Sequence, residues 1–219
     1  MPLPLSDYEF VSRAPVVPVM VIEHLDHAVP MAEALVAGGL TTLEITLRTD
    51  CALDAIKAIS AALPDADVGA GTVCNREQFT AACEAGARFI VSPGSSAALF
   101  KASRESGVPL LPGAVTASEV MAARDAGFPV IKFFPAESSG GAAAIKSFQG
   151  PFADTLFLPT GGIGLSNLSE YLALDNVAAV GGSWVLPSSA VRAGQWAEVS
   201  KLAGEAVITA NAITSQQIV

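Results

Sequence analysis

Basic residues are few in this sequence and form no run: 12 Lys and Arg stand against 21 Asp and Glu, a formal net charge of −9. Nucleic acid and anionic membrane surfaces are held by clustered positive charge, so neither is an expected partner. Cysteine is equally sparse. Cys51, Cys74 and Cys83 are an odd number with no metal-like spacing to His24 or His27. A disulfide framework is therefore not expected, and the three read as reduced packing residues of a cytoplasmic protein. No H-x-E, H-E-x-x-H or acidic cluster offers a metal site, and neither metal nor cofactor is expected. No apolar run approaches the ~18 residues of a membrane helix. The opening stretch from Met1 to Phe10 is polar and acidic, unlike a signal peptide.

Apolar residues, by contrast, make up 51% of the 219-residue chain, charged residues only 15%, and the mean hydropathy is +0.49. That balance suggests a deeply buried sheet plus apolar surface covered by other subunits. Short β-rich runs alternate with helical stretches: Val16–Val21, Thr42–Leu47, Asp67–Gly71, Phe89–Ser92, Leu110–Gly113, Val130–Phe134, Thr155–Pro159 and Val177–Val180. They recur at roughly two dozen residues, about the length of a strand, a helix and two short loops. Such alternation implies a parallel sheet, because parallel neighbours need a crossover. Gly38, Gly86, Gly107 and Gly127 close helical stretches, and Thr116 with Glu119 reads as a capping box, Asn75 with Gln78 as a weaker one. No linker or composition break appears. The expectation is an α/β chain forming a single (β/α)8 TIM barrel over residues 1–219. It would have a lead-in over about 1–15, and a last helix from about Trp196 to Asn211 within a C-terminal segment of about 196–219. An open doubly wound sheet is the rival, without a G-x-G-x-x-G after the first strand to support it.

In a barrel the reacting groups stand at the C-terminal ends of strands. Along Val130-Ile131-Lys132-Phe133-Phe134 side chains alternate, so Ile131 and Phe133 suit the helix side and Lys132 points inward. Burial in an apolar strand disfavours a charged amine, which points to a nucleophile. A lysine that snorkels, or that pairs with a buried carboxylate for stability, fits the same strand. Leu43-Glu44-Ile45-Thr46-Leu47-Arg48 alternates in the same way, placing Glu44 and Arg48 on the inward face. Glu44 is suited to proton transfer and Arg48 to gripping a carboxylate, or the two form a plain ion pair. Thr72 after Gly69-Ala70-Gly71, and Ser92-Pro93-Gly94, are weaker signals. The seventh and eighth runs are followed by Pro159-Thr160-Gly161-Gly162-Ile163 and Gly181-Gly182-Ser183-Trp184. Paired glycines there expose backbone N–H groups in the manner of a phosphate site.

Together these segments, with Val17-Pro18-Val19, Gly69-Ala70-Gly71-Thr72-Val73, Pro112-Gly113 and Ile131-Lys132-Phe133-Phe134-Pro135-Ala136-Glu137, resemble the bacterial 2-keto-3-deoxy-6-phosphogluconate (KDPG) aldolases. That family also includes 4-hydroxy-2-oxoglutarate (KHG) aldolases. The resemblance runs in order from about Val16 to Pro187 and implies a Schiff-base lyase yielding pyruvate and glyceraldehyde 3-phosphate. It implies Lys132 as the Schiff-base lysine, Glu44 as general acid/base, and Arg48 and Thr72 as the groups holding the pyruvate carboxylate. Pro93, Phe134 and Thr160 would line the site, and Gly161, Gly162, Gly182 and Ser183 would hold the phosphate. The implied partners are the phosphorylated keto acid, pyruvate and two further copies of the chain in a homotrimer.

Overall fold

A computed structural model describes residues 5–215 of the chain. Eight strands alternate with helices: β1 Val16–Met20, β2 Thr42–Thr46, β3 Asp67–Gly71, β4 Phe89–Val91, β5 Leu110–Leu111, β6 Val130–Phe133, β7 Leu156–Pro159 and β8 Val180–Gly182. The helices are α1 Glu9–Ser12, α2 Ala28–Ala37, α3 Ala52–Ala62, α4 Arg76–Glu84, α5 Ala97–Ser106, α6 Ala117–Asp125, α7 Gly141–Phe148, α8 Leu168–Leu172, α9 Ser188–Arg192 and α10 Trp196–Ser215. Six strands form a curled parallel sheet in the order β5-β4-β3-β2-β1-β8, and β6 and β7 form a parallel pair. Single parallel bridges connect that pair to its neighbours, Gly113 to Lys132 on one side, Phe157 to Val177 and Thr160 to Gly181 on the other. The last helix runs past Asn211, and the final residues 216–219 of the expected tail lie outside the described residues, as do residues 1–4 of the lead-in.

The eighth run divides its pairing. The Phe157 N–H donates to Asn176 O at 2.8 Å and the Ala178 N–H to Phe157 O at 3.0 Å, whereas Val180–Gly182 pairs with Val16–Pro18 of β1. The glycine pair expected as a loop is thus the end of β8. A Cβ at Gly181 would stand 2.2 Å from Thr160 Oγ1, so glycine is required by close approach.

Strand parity sorts the core into two clusters. Leu43, Ile45, Ile131 and Phe133 pack with the helices, while Val17, Phe89, Val91, Leu111, Val130 and Leu158 pack among themselves inside the sheet. Tyr8 and Phe10 join this inner cluster, which the polar reading of the first residues did not anticipate. Tyr8 Oη donates to Leu110 O at 3.0 Å, Thr42 Oγ1 donates to Phe10 O at 2.7 Å, and the Phe10 ring stacks on Phe89 with centroids 4.4 Å apart. Arg13 reaches Asp67 at 3.0 Å. Leu110, Thr42, Phe89 and Asp67 are each the first residue of a strand, so the lead-in covers the N-terminal end of the sheet. The chemistry is left to the opposite end.

Thr116 and Glu119 form the expected capping box on α6: Thr116 Oγ1 accepts from the Glu119 N–H at 3.3 Å, and the Glu119 carboxylate accepts from the Thr116 N–H at 2.9 Å. The Val115 N–H, joined by the Thr116 groups, holds the Glu119 carboxyl below the usual carboxylate range against the opposing effect of burial. Gly86, Gly107 and Gly127 close their helices at positive φ. Gly38 has another reason to be glycine, since a Cβ there would fall 2.4 Å from Ala203 Cβ on α10. Among the described residues no helix is long and apolar enough to cross a membrane.

Candidate active site

Lys132 and Glu44 stand on strands that are not neighbours, β6 and β2, and meet inside the curled sheet. Lys132 Nζ lies 2.9 Å from Glu44 Oε1, with Glu44 0% and Lys132 4% exposed. The ion pair expected as an alternative, Glu44 with Arg48, does not form. The buried lysine–carboxylate pair does, and the nucleophilic and the stabilising readings of Lys132 share that geometry. Gly71 makes room for it, because a Cβ there would fall 2.2 Å from Glu44 Oε1. Glu44 Oε2 is buried and has no protein partner among the described residues. A buried carboxylate oxygen without a partner is uncommon in a folded protein.

Arg48 follows β2 on the exposed side of the pair. Its Nε donates to Thr72 Oγ1 at 3.0 Å, and its two terminal nitrogens have no protein acceptor among the described residues. Thr72 has φ 59, the sole non-glycine at positive φ among the described residues. For a β-branched residue that conformation costs about 1–3 kcal/mol, a strain typical of sites that must aim one side chain. Here it directs the hydroxyl at Arg48 and so fixes the guanidinium fork.

A cavity of about 190 Å³ lies at this end of the strands. Arg48, Lys132, Phe134 and Thr160 line it, together with Gly161, Gly162, Gly182 and Ser183. The Phe134 ring centroid is 5.4 Å from Lys132 Nζ, within range of a cation–π contact. Gly161 and Gly162 both hold positive φ, 104 and 79, a backbone conformation that favours glycine. Among the described residues the N–H groups of Gly162, Ile163 and Ser183 donate to no protein acceptor. Val19 and Ile163 also line the cavity and were not expected from the sequence; apolar residues at strand ends carry no signal that separates them from the core. Glu44 and Thr72 stand outside the lining and touch it through Lys132 and Arg48, which they bond. Pro93 lies outside the lining, packed on Gly113, where a Cβ would fall 2.3 Å from the Pro93 carbonyl. No group of three His, Cys, Asp or Glu side chains that could hold a metal occurs among the described residues.

A buried amine, a carboxylate against it, a free guanidinium fork and a fringe of unpaired N–H groups can bind a keto acid at one end and an anion at the other. Comparison with known proteins identifies the family. The family described as KDPG and KHG aldolase matches residues 8–202. The KHG/KDPG aldolase of Escherichia coli K12 is 52% identical over 202 residues, 92% of this chain and 95% of that protein. The 2-dehydro-3-deoxy-phosphogluconate aldolase of Pseudoalteromonas atlantica is 50% identical over 209 residues, 95% of this chain and 97% of that protein. Among solved structures, the KDPG aldolase of Legionella pneumophila, with pyruvate captured at low pH as a covalent carbinolamine intermediate, superposes with a TM-score of 0.90. It is 42% identical and covers 92% of this chain and 98% of its own.

Proposed function

The chain belongs to the KDPG and KHG aldolase family; it is a lyase that splits 2-keto-3-deoxy-6-phosphogluconate into pyruvate and glyceraldehyde 3-phosphate, and we propose that Lys132 is the nucleophile. The observation that carries this assignment is the 2.9 Å contact of Lys132 Nζ with a fully buried Glu44 at the wall of the cavity. A proton passes from Nζ to Glu44, and the freed amine attacks the C2 ketone. Glu44 returns that proton to the carbinolamine hydroxyl, which leaves as water, and the protonated imine becomes an electron sink. The Glu44 carboxylate then removes the C4 hydroxyl proton, directly or through a water at Oε2, and the C3–C4 bond breaks to release the aldehyde. The same proton goes to C3 of the enamine, and water hydrolyses the product imine to pyruvate and free lysine.

Arg48, held by Thr72, takes the substrate carboxylate in its open fork. Phe134 and Thr160 bound the reacting carbons, and the turn at Gly161 and Gly162 presents the N–H groups of Gly162 and Ile163, which with the N–H and hydroxyl of Ser183 take the phosphate. A remote anion site of this kind orients the chain at the reacting centre. The same site accommodates 4-hydroxy-2-oxoglutarate, which has no phosphate to place, and Ser183 tells the two apart. Ser183→Ala removes one hydrogen bond to a charged group and should lower kcat/KM for the phosphorylated substrate by about tenfold to a hundredfold. On 4-hydroxy-2-oxoglutarate the rate should barely change. Equal losses on both substrates would place Ser183 in the fold or the chemistry instead.

The single bridges flanking the β6–β7 pair support a closed (β/α)8 barrel over one domain, with the lead-in as its floor. A homotrimer belongs to the same proposal. Val21, Leu25 and Leu165, exposed by 40%, 45% and 43%, follow β1 and β7 at the active-site end and are suited to burial between subunits. Sedimentation equilibrium should return three times the 22.3 kDa chain mass, and a monomer at micromolar concentration would overturn the assignment.

A further inference from the structure

The glycine turn after β7 is held from beneath by one face of α8. Asn167 occupies the N-cap position of that helix, where an Asn side chain ordinarily accepts from an N–H two or three residues on. It makes no such bond. Its side chain turns back instead: Nδ2 donates to Gly162 O at 3.1 Å, and Oδ1 accepts from the Gly164 N–H at 2.9 Å. The helix therefore forgoes its side-chain cap and the glycine turn gains two bonds. Tyr171 lies four residues further on, hence on the same face. Its hydroxyl donates to Glu137 Oε1, and the Glu137 side chain lies under the turn, since a Cβ at Gly162 would fall 2.5 Å from Glu137 Cγ. The Glu137 N–H also donates to Gly161 O at 3.1 Å. Burial, and then the Glu137 carboxylate, push the Tyr171 phenol pKa up, so it stays a donor.

We propose that Asn167 and Tyr171 are positioning residues that hold Gly161–Gly164 in its anion-binding shape and thereby set the preference for phosphorylated substrates. The inference rests on the phosphate site proposed above. Two adjacent glycines at positive φ have more unbound conformations to lose than any other pair of residues. A turn left free would pay that ordering cost each time an anion bound, whereas a braced turn has paid it on folding. Asn167 occupies the Gly162 carbonyl and the Gly164 N–H, which leaves the Gly162 and Ile163 N–H groups for the ligand. Tyr171 ties the Glu137 carboxylate down, so that its negative charge is drawn away from the anion.

The test measures three quantities on Asn167→Ala, Asn167→Asp and Tyr171→Phe: kinetics on the phosphorylated substrate, kinetics on 4-hydroxy-2-oxoglutarate, and competitive inhibition by inorganic phosphate. For Asn167→Ala, KM for the phosphorylated substrate and Ki for phosphate should each rise about tenfold, with kcat and the unphosphorylated reaction unchanged. Asn167→Asp keeps the acceptor for Gly164 but loses the donor to Gly162 and adds a negative charge, so its rise should be larger. Tyr171→Phe should raise both constants by about threefold. Should Asn167→Ala melt below the assay temperature, the two near-isosteric variants carry the comparison. Equal losses on both substrates, or an unchanged phosphate Ki in folded Asn167 variants, overturn the proposal. If phosphate fails to compete even in the wild type, the phosphate site itself is wrong. If it competes, and Ser183→Ala weakens it while the Asn167 and Tyr171 variants do not, only the positioning role falls.

Discussion

Lys132→Met should abolish aldol cleavage, with kcat falling by about five decades or more, the scale seen when an enzyme's nucleophile is deleted. Methionine matches the length of the lysine stem and cannot form an imine. In the wild type, borohydride in the presence of pyruvate should inactivate the enzyme and add the reduced adduct to Lys132 alone. Lys132 is 4% exposed, while the side chains of Lys101 and Lys201 are 68% and 63% exposed. Exposed lysines hold no ketone in a fixed position, so peptide mapping that finds the label there would refute the assignment. Removing Lys132 also leaves Glu44 buried without its partner, which typically destabilises by about 3–5 kcal/mol. A melting curve is therefore needed beside the assay, and the Lys132→Met/Glu44→Gln double variant, which buries no unpaired charge, should recover much of the lost stability but none of the activity. Chelators should leave the wild-type rate unchanged; a loss restored by Mg²⁺ or Zn²⁺ would overturn the imine chemistry.

Glu44→Gln should lower kcat by about two to four decades, the usual contribution of a positioned proton-transfer group. The amide keeps the volume beside Gly71 and still accepts from Lys132, so the fold should hold and borohydride trapping of pyruvate should survive in part. Gly71→Ala is a complementary probe. A methyl at that position would fall 2.2 Å from Glu44 Oε1 and 2.6 Å from Glu44 Cγ, so the carboxylate must move off Lys132. Its kcat should fall toward that of Glu44→Gln although no catalytic group has been removed. An unchanged kcat in a folded Glu44→Gln protein would mean that another group moves the proton.

Much of this site could be read from local patterns. Side chains alternate along a strand whatever the strand pairs with, so Lys132 and Glu44 were assignable to the inner face once Ile131, Phe133, Leu43 and Ile45 were seen to be apolar, whereas Arg48 lies beyond the end of β2, where parity no longer applies. Helix ends are equally local: the Thr116–Glu119 capping box stands as expected because each bond spans three residues. The eighth strand was displaced, because Val177–Val180 looks like one strand by composition while its backbone serves β7 first and β1 afterwards.

Partnership was beyond local patterns. Lys132 and Glu44 are 88 residues apart, and nothing in either strand says that Glu44 pairs across the interior with Lys132 and not along its own strand with Arg48. The aromatic floor of Tyr8 and Phe10, the left-handed turn at Thr72 and the reach of Asn167 to Gly162 share that character. Parity, caps and the order of elements follow from chain geometry over a few residues, which the sequence carries by itself. Which inward side chain meets which, and which backbone groups stay unpaired around the cavity, depend on how non-neighbouring strands curl toward one another. Only the packed tertiary structure decides that, because the contacts join residues whose separation along the chain holds no geometric information.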